Sequence, residues 1–118
     1  MGLRDPQLRR AAGALAGAVR PAGARAGDGP IYLSFDIDAI DPAFAPATGT
    51  PEVAGLLPHE SLAFLRALAG LSFVGFDVVE VAPAYDGPGQ QTALLAASIA
   101  YELLALRAVA GRVSSSSA

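Results

Sequence analysis

The sequence predicts an α/β fold: a parallel strand–helix–strand unit followed by a long helix. Three observations carry this. Residues 31–35 and 73–79 are short apolar runs rich in β-branched and aromatic side chains, and such continuous runs read as strands covered by helices on both faces. Between them, residues 58–69 place Leu62, Leu65, Leu68 and Ala69 on one helical face. A proline- and glycine-rich loop follows each run. Consecutive strands separated by a helix pair in parallel, through a right-handed crossover.

The elements follow in order along the chain. Asp5-Pro6 opens a helix, a capping carboxylate followed by proline at the first helical position, and this helix runs to about Val19, ahead of Pro21. Residues 21–30 form a loop containing Gly23, Gly27, Gly29 and Pro30. The first strand leads into residues 37–58, where Pro42, Pro46, Pro51 and Pro58 with Gly49 and Gly55 exclude regular structure. So long a loop in a compact domain is usually functional. The helix at 58–69 ends at Gly70, and the second strand gives way to a loop at 82–89. Residues 90–110 form a helix ended by Gly111 and expected to be buried along much of its length, through Leu94, Leu95, Ile99, Leu103 and Leu106. Residues 114–118 are low-complexity and expected to be disordered, which leaves 1–113 as the folded portion. Two strands make a poor sheet alone, so the chain reads as one end of a larger α/β domain.

Composition narrows the class. Of 118 residues, 53% are hydrophobic and 16% charged, a globular balance, and the net charge is −3. No basic stripe supports nucleic-acid binding. All eight basic residues are arginine, so any mechanism that needs a lysine is excluded, and the absence of cysteine excludes disulfides and thiolate metal sites. The amino-terminal residues carry no secretory pattern, and Pro6 stands where a myristoylation pattern needs Ser or Thr. The most apolar stretch, 92–106, is shorter than the roughly 20 residues of a membrane span and contains Glu102. A cytoplasmic protein without a membrane partner is expected.

The chemistry concentrates in Ser34-Phe35-Asp36-Ile37-Asp38-Ala39-Ile40-Asp41-Pro42. Strand alternation puts Asp36 and Asp38 on the same side, at the carboxyl edge where open α/β sheets bind ligands. Two carboxylates this close repel unless a cation lies between them, and a hard divalent ion suits oxygen ligands. The competing reading is a solvated acidic turn. Asp41 precedes proline and reads as a turn former rather than a ligand. Glu80 follows the second strand and belongs to the same edge. Asp77, three residues earlier, faces the other way and suits a structural hydrogen bond. Asp86 lies in the following loop, within reach of the crevice mouth. His59, the only histidine, reads as an exposed residue at a helix start.

A calcium loop fails because Asp41 occupies the required glycine position. A haloacid-dehalogenase-like nucleophile strand fails because Ala39 follows the second Asp and no Lys exists downstream. A glycosyltransferase DxD leaves the following loop unexplained, and Gly87-Pro88-Gly89 lacks the spacing and the Lys of a phosphate loop.

The run SFDIDAIDPAFAPATGTPEVAGL at 34–56, with FDVVEVAPAYD at 76–86 and Thr92-Ala93 beyond it, resembles the ureohydrolases, the agmatinase and arginase family. The resemblance covers roughly residues 30–105. Ala-Pro-Ala-Tyr-Asp is more similar to agmatinase and guanidinobutyrase, since arginases usually place Asn before that proline. The resemblance implies a three-layer α/β/α arginase-like fold, represented here by its C-terminal βαβα portion. It implies two Mn²⁺ ions, with Asp36 and Asp38 as metal ligands and Glu80 facing the substrate guanidinium. The metals activate water to attack the guanidinium carbon, giving urea and an amine. Family members are commonly trimers or hexamers. One departure is Ala54-Gly55 where the family usually shows Gly-Gly. A larger one is that the family's other metal ligands, a His and an Asp-Ala-His-x-Asp cluster, have no counterpart in this sequence. The chain is therefore expected to be a fragment that is inactive alone. A non-catalytic assembly module derived from a ureohydrolase is the alternative.

Overall fold

The computed structural model describes residues 29–115. The helix expected at 5–19 and the loop up to residue 28 lie outside them. In chain order come β1 (Ile31–Asp36), a 3-10 turn (Ile37–Ala39), α1 (Pro58–Ala67), β2 (Phe73–Val79), a second 3-10 turn (Pro83–Tyr85) and α2 (Gln91–Ser115). The strands pair in parallel, with Leu33 beside Phe76, Phe35 beside Val78 and Asp36 beside Val79.

Cross-strand partners share a face of the sheet. Leu33, Phe35, Phe76 and Val78 therefore lie on one face, and all four pack into or against the core. That core joins Phe35, Ile37 and Ile40 to Leu65 and Leu68 of the α1 region, to Phe73, and to Ile99, Leu103 and Leu106 of α2. On the other face Tyr32 and Ser34 lie beside Gly75 and Asp77. Among the described residues no helix covers this face, and Tyr32 is 61% exposed. This face carries a polar network instead. The Tyr32 hydroxyl donates to Asp77 Oδ2 at 3.0 Å and Ser34 Oγ to Asp77 Oδ1 at 2.6 Å. Asp77 thus takes the structural hydrogen bonds expected of it.

Helix α1 begins where Pro58 fixes φ for the first turn, and Glu60 accepts from the Leu57 N–H at 3.0 Å. It ends at Ala67, two residues short of the expected Ala69, and the turn that follows reaches Gly70, whose φ of +97° suits glycine. His59 is exposed.

Helix α2 departs from expectation twice. It continues through Gly111 to Ser115, so two residues of the tail expected to be disordered are helical. Glycine costs about 1 kcal/mol in a helix interior but does not by itself stop one. Its burial is also one-sided. Thr92, Ile99, Leu103 and Leu106 face the sheet, whereas Leu94 is 64% exposed and Tyr101 and Leu104 are exposed with it. The face is set by the 3.6-residue period, and Leu94 lies off it. Residues Gln91–Ala110 are long and apolar enough to cross a membrane by length and composition, at mean hydropathy 1.7. Packing on β2 and α1, and the ion pair of Glu102 with Arg66 of α1, instead make α2 a layer of the α/β unit.

Candidate metal and substrate site

The first strand ends at Asp36, and this changes how the paired carboxylates meet. Asp36 Oδ1 accepts from the Asp38 N–H at 2.9 Å, so Asp36 caps the 3-10 turn that follows. Asp38 is therefore on a turn, not on the strand, and alternation is not what brings the two together. A short acidic side chain readily bonds to the backbone two residues on, and the fully buried Ile37 anchors the turn between them.

The Asp38 carboxylate is held on one side and free on the other. The Thr50 hydroxyl donates to Oδ2. Oδ1 is buried with no hydrogen-bond partner, a condition shared among the described residues only with the Thr48 hydroxyl. A buried carboxylate oxygen without a donor is costly, and a cation is the ligand that would satisfy it.

The loop from 40 to 56 is closed and pinned. Asp41 N–H donates to Leu56 O at 3.0 Å, and Leu56 N–H to Ala39 O at 2.8 Å. The Asp41 side chain accepts from Ala43 N–H at 2.9 Å and from Ala54 N–H at 3.1 Å, which makes it the structural residue its Asp-Pro context indicated. Gly55 passes so close to the turn that a Cβ would lie 2.7 Å from Ala39 O. Ala54 has φ +63°, so the departure from Gly-Gly falls on a left-handed position that favours glycine.

Glu80 lies immediately beyond β2. Since Asp36 pairs beside Val79, Glu80 stands at the same sheet edge as the two aspartates. Its φ is +65°, uncommon outside glycine and concentrated at functional sites. Beyond it, Ala82 N–H donates to Ala47 O at 2.9 Å, tying the second loop to the first.

Asp86 does not reach into the crevice. It caps α2 instead, accepting from Thr92 N–H at 3.2 Å and Ala93 N–H at 3.0 Å. Desolvation pushes its carboxyl up, but hydrogen bonds from Ala93, from Thr92 (backbone and hydroxyl) and from Gly87 hold it below the ordinary aspartate value. A carboxylate at a helix start also faces the positive end of the helix dipole, a role that loop position alone did not distinguish from crevice exposure. Thr50, Gln91 and Thr92 were not singled out for roles by sequence reasoning. The signal available for the last two was an Asp a few residues before a helix start.

The donor set suits a hard divalent cation, but only as part of a shell. Asp36 and Asp38 offer carboxylate oxygens, one of them orphaned. Among the described residues no cluster of three or more His, Cys, Asp or Glu could enclose a metal.

A family model described as the arginase family matches residues 8–106. The chain belongs to the arginase family. It is 59% identical over 78 residues to the mitochondrial agmatinase of Gallus gallus, an alignment covering 66% of this chain and 23% of that protein. It is 58% identical over 78 residues to the mitochondrial guanidino acid hydrolase of Homo sapiens, covering 66% of this chain and 22% of that protein. Among solved structures, it is similar to proclavaminate amidino hydrolase from Streptomyces clavuligerus, with TM-score 0.75 and 49% identity over 84% of this chain and 32% of that one. This arginase-family chain thus spans about a quarter of the length of the curated relatives it matches. Its parallel strand pair and helices are an α/β portion of the arginase fold.

Proposed function

We propose that this chain supplies the Asp36–Asp38 and Glu80 part of a ureohydrolase site that hydrolyses a linear guanidino compound to urea and an amine. The observation that carries the reading is the Asp38 carboxylate: one oxygen held by Thr50, the other buried without a partner, on the turn capped by Asp36. In this reading Asp36 and Asp38 ligate Mn²⁺. A pair of such ions supplies Lewis acidity that makes water nucleophilic near neutral pH. Glu80 holds the planar guanidinium through paired, charge-assisted hydrogen bonds. Water adds to the guanidinium carbon, the bond to the substituted nitrogen breaks, and that nitrogen leaves with a proton as the amine. The names of the relatives, agmatinase and guanidino acid hydrolase, support a guanidino substrate and leave its tail open.

The chain is inactive alone in this reading, because two carboxylates leave most coordination positions to water. The full protein is a cytoplasmic homo-oligomer, a trimer or hexamer. The lack of any larger ligand cluster among the described residues favours a second reading: an assembly module that retains the fold without the reaction.

The test is urea release from agmatine and from guanidino acids. The purified chain is expected to give none. Adding a polypeptide that carries the family's remaining ligands restores activity if the first reading holds, and Asp38→Asn abolishes that rescue. Robust turnover by the chain alone overturns the inactive-fragment reading. Rescue that survives Asp38→Asn overturns the ligand role.

A further inference from the structure

We infer that Thr92 is a positioning residue that locks the Glu80 end of β2 to the loop carrying the aspartates. The inference rests on the site reading above and adds to it a residue outside the ligand set. Thr92 is fully buried in the first turn of α2. Its Oγ1 accepts from the Ala47 N–H at 3.1 Å, and its backbone N–H donates to Asp86 Oδ1 at 3.2 Å. Ala47, itself fully buried, is held on its other side: its carbonyl accepts from Ala82 N–H at 2.9 Å. Ala82 is two residues past Glu80, and Ala47 is three residues before Thr50, which holds Asp38.

Thr92 and the Ala47 peptide it holds therefore join three segments: the helix start, the metal loop and the strand end. The hydroxyl supplies the acceptor for the Ala47 N–H. Valine fills the same space without that bond. Gln91 reinforces the joint, its Nε2 donating to the Ala43 and Phe44 carbonyls at 3.3 and 3.2 Å. If the joint is a single unit, loosening Thr92 must free Ala82, whose own hydrogen bond does not involve Thr92.

The experiment is amide hydrogen exchange by NMR on the metal-free 118-residue chain, with separate spectra recorded in Mn²⁺. Thr92→Val is expected to lower protection at Ala47 and Ala82 together, each by ~10-fold, about the loss of one buried hydrogen bond. Thr92→Ser is expected to retain both. A fall at Ala47 with Ala82 unchanged means a local packing role and overturns the proposal, as does no change at either. If Thr92→Val does not fold, Asp86→Asn, which keeps the hydroxyl, is expected to lower both protections by a smaller factor. No effect at either amide then overturns it. With Mn²⁺, paramagnetic broadening is expected at Asp36, Asp38 and Glu80 in the wild type and in Thr92→Val alike. Absence of broadening in the wild type counts against the metal reading, while the exchange result still decides the role of Thr92.

Discussion

The residues around the candidate site are shaped by two close constraints, a backbone that must bend and a carboxylate that must be held. Ala54 pays the first: at φ +63°, a left-handed alanine costs about 1–2 kcal/mol. Ala54→Gly removes that cost against an unfolded-state entropy loss of about 0.5–1 kcal/mol, and is expected to raise thermal stability by up to about 1 kcal/mol. An unchanged or lower melting temperature contradicts this. The neighbouring position behaves oppositely. At Gly55 a methyl group would meet Ala39 O at 2.7 Å and Asp41 N at 2.8 Å, backbone atoms that cannot turn aside. Gly55→Ala is expected to destabilise the chain by about 1–3 kcal/mol, as overpacking does. Asp41→Ala removes acceptors for Ala43 and Ala54. At about 0.5–1.5 kcal/mol per bond, a loss near 2 kcal/mol is expected in urea denaturation.

At the scale of elements, α2 closes the core against β2 and α1. Ile99 is fully buried between the sheet and α1. Ile99→Ala is expected to cost about 2–5 kcal/mol and Ile99→Asp to abolish soluble expression; unchanged melting in either variant argues against a core role. The start of the helix is sensitive to pH. The folded-state pKa of Asp86 is depressed below the ordinary 3.8 by the amides it caps and the Thr92 hydroxyl. Its contribution is therefore complete above the unfolded value and is lost as pH falls through the lower folded value. Asp86→Asn is expected to flatten the acid limb of stability between about pH 4 and the folded pKa, with the stability at pH 7 lowered. An acid limb identical to wild type removes the cap from the account.

For the whole molecule, the described unit leaves apolar surface uncovered. Leu94, Tyr101 and Leu104 line the outer side of α2, and Tyr32 and Val74 lie exposed on the strands. Contiguous apolar surface of this kind promotes association. The isolated chain is expected to self-associate with rising concentration, and Leu94→Gln with Leu104→Gln to shift it toward monomer in sedimentation velocity. Equal sedimentation of variant and wild type at all concentrations would exclude this face.

The order of elements, the parallel pairing, and the placement of Asp36 and Glu80 at one sheet edge were legible in the sequence, because they follow from apolar periodicity and from loop-forming prolines and glycines. The two strand bounds shifted by at most one residue, and Asp41 and Asp77 carried local signals for their structural bonds. What the sequence did not determine depended on contacts between distant segments. Whether Asp38 continued the strand or entered a turn was decided by capping from Asp36 and by burial of Ile37. Whether α2 was buried all round was decided by what packs against it, and hydropathy reads the same on both faces of an alanine- and leucine-rich helix. The joining of Ala47 to Thr92 and Ala82 spans 45 and 35 residues of chain. Such bonds are made only after the elements pack, so no local pattern encodes them.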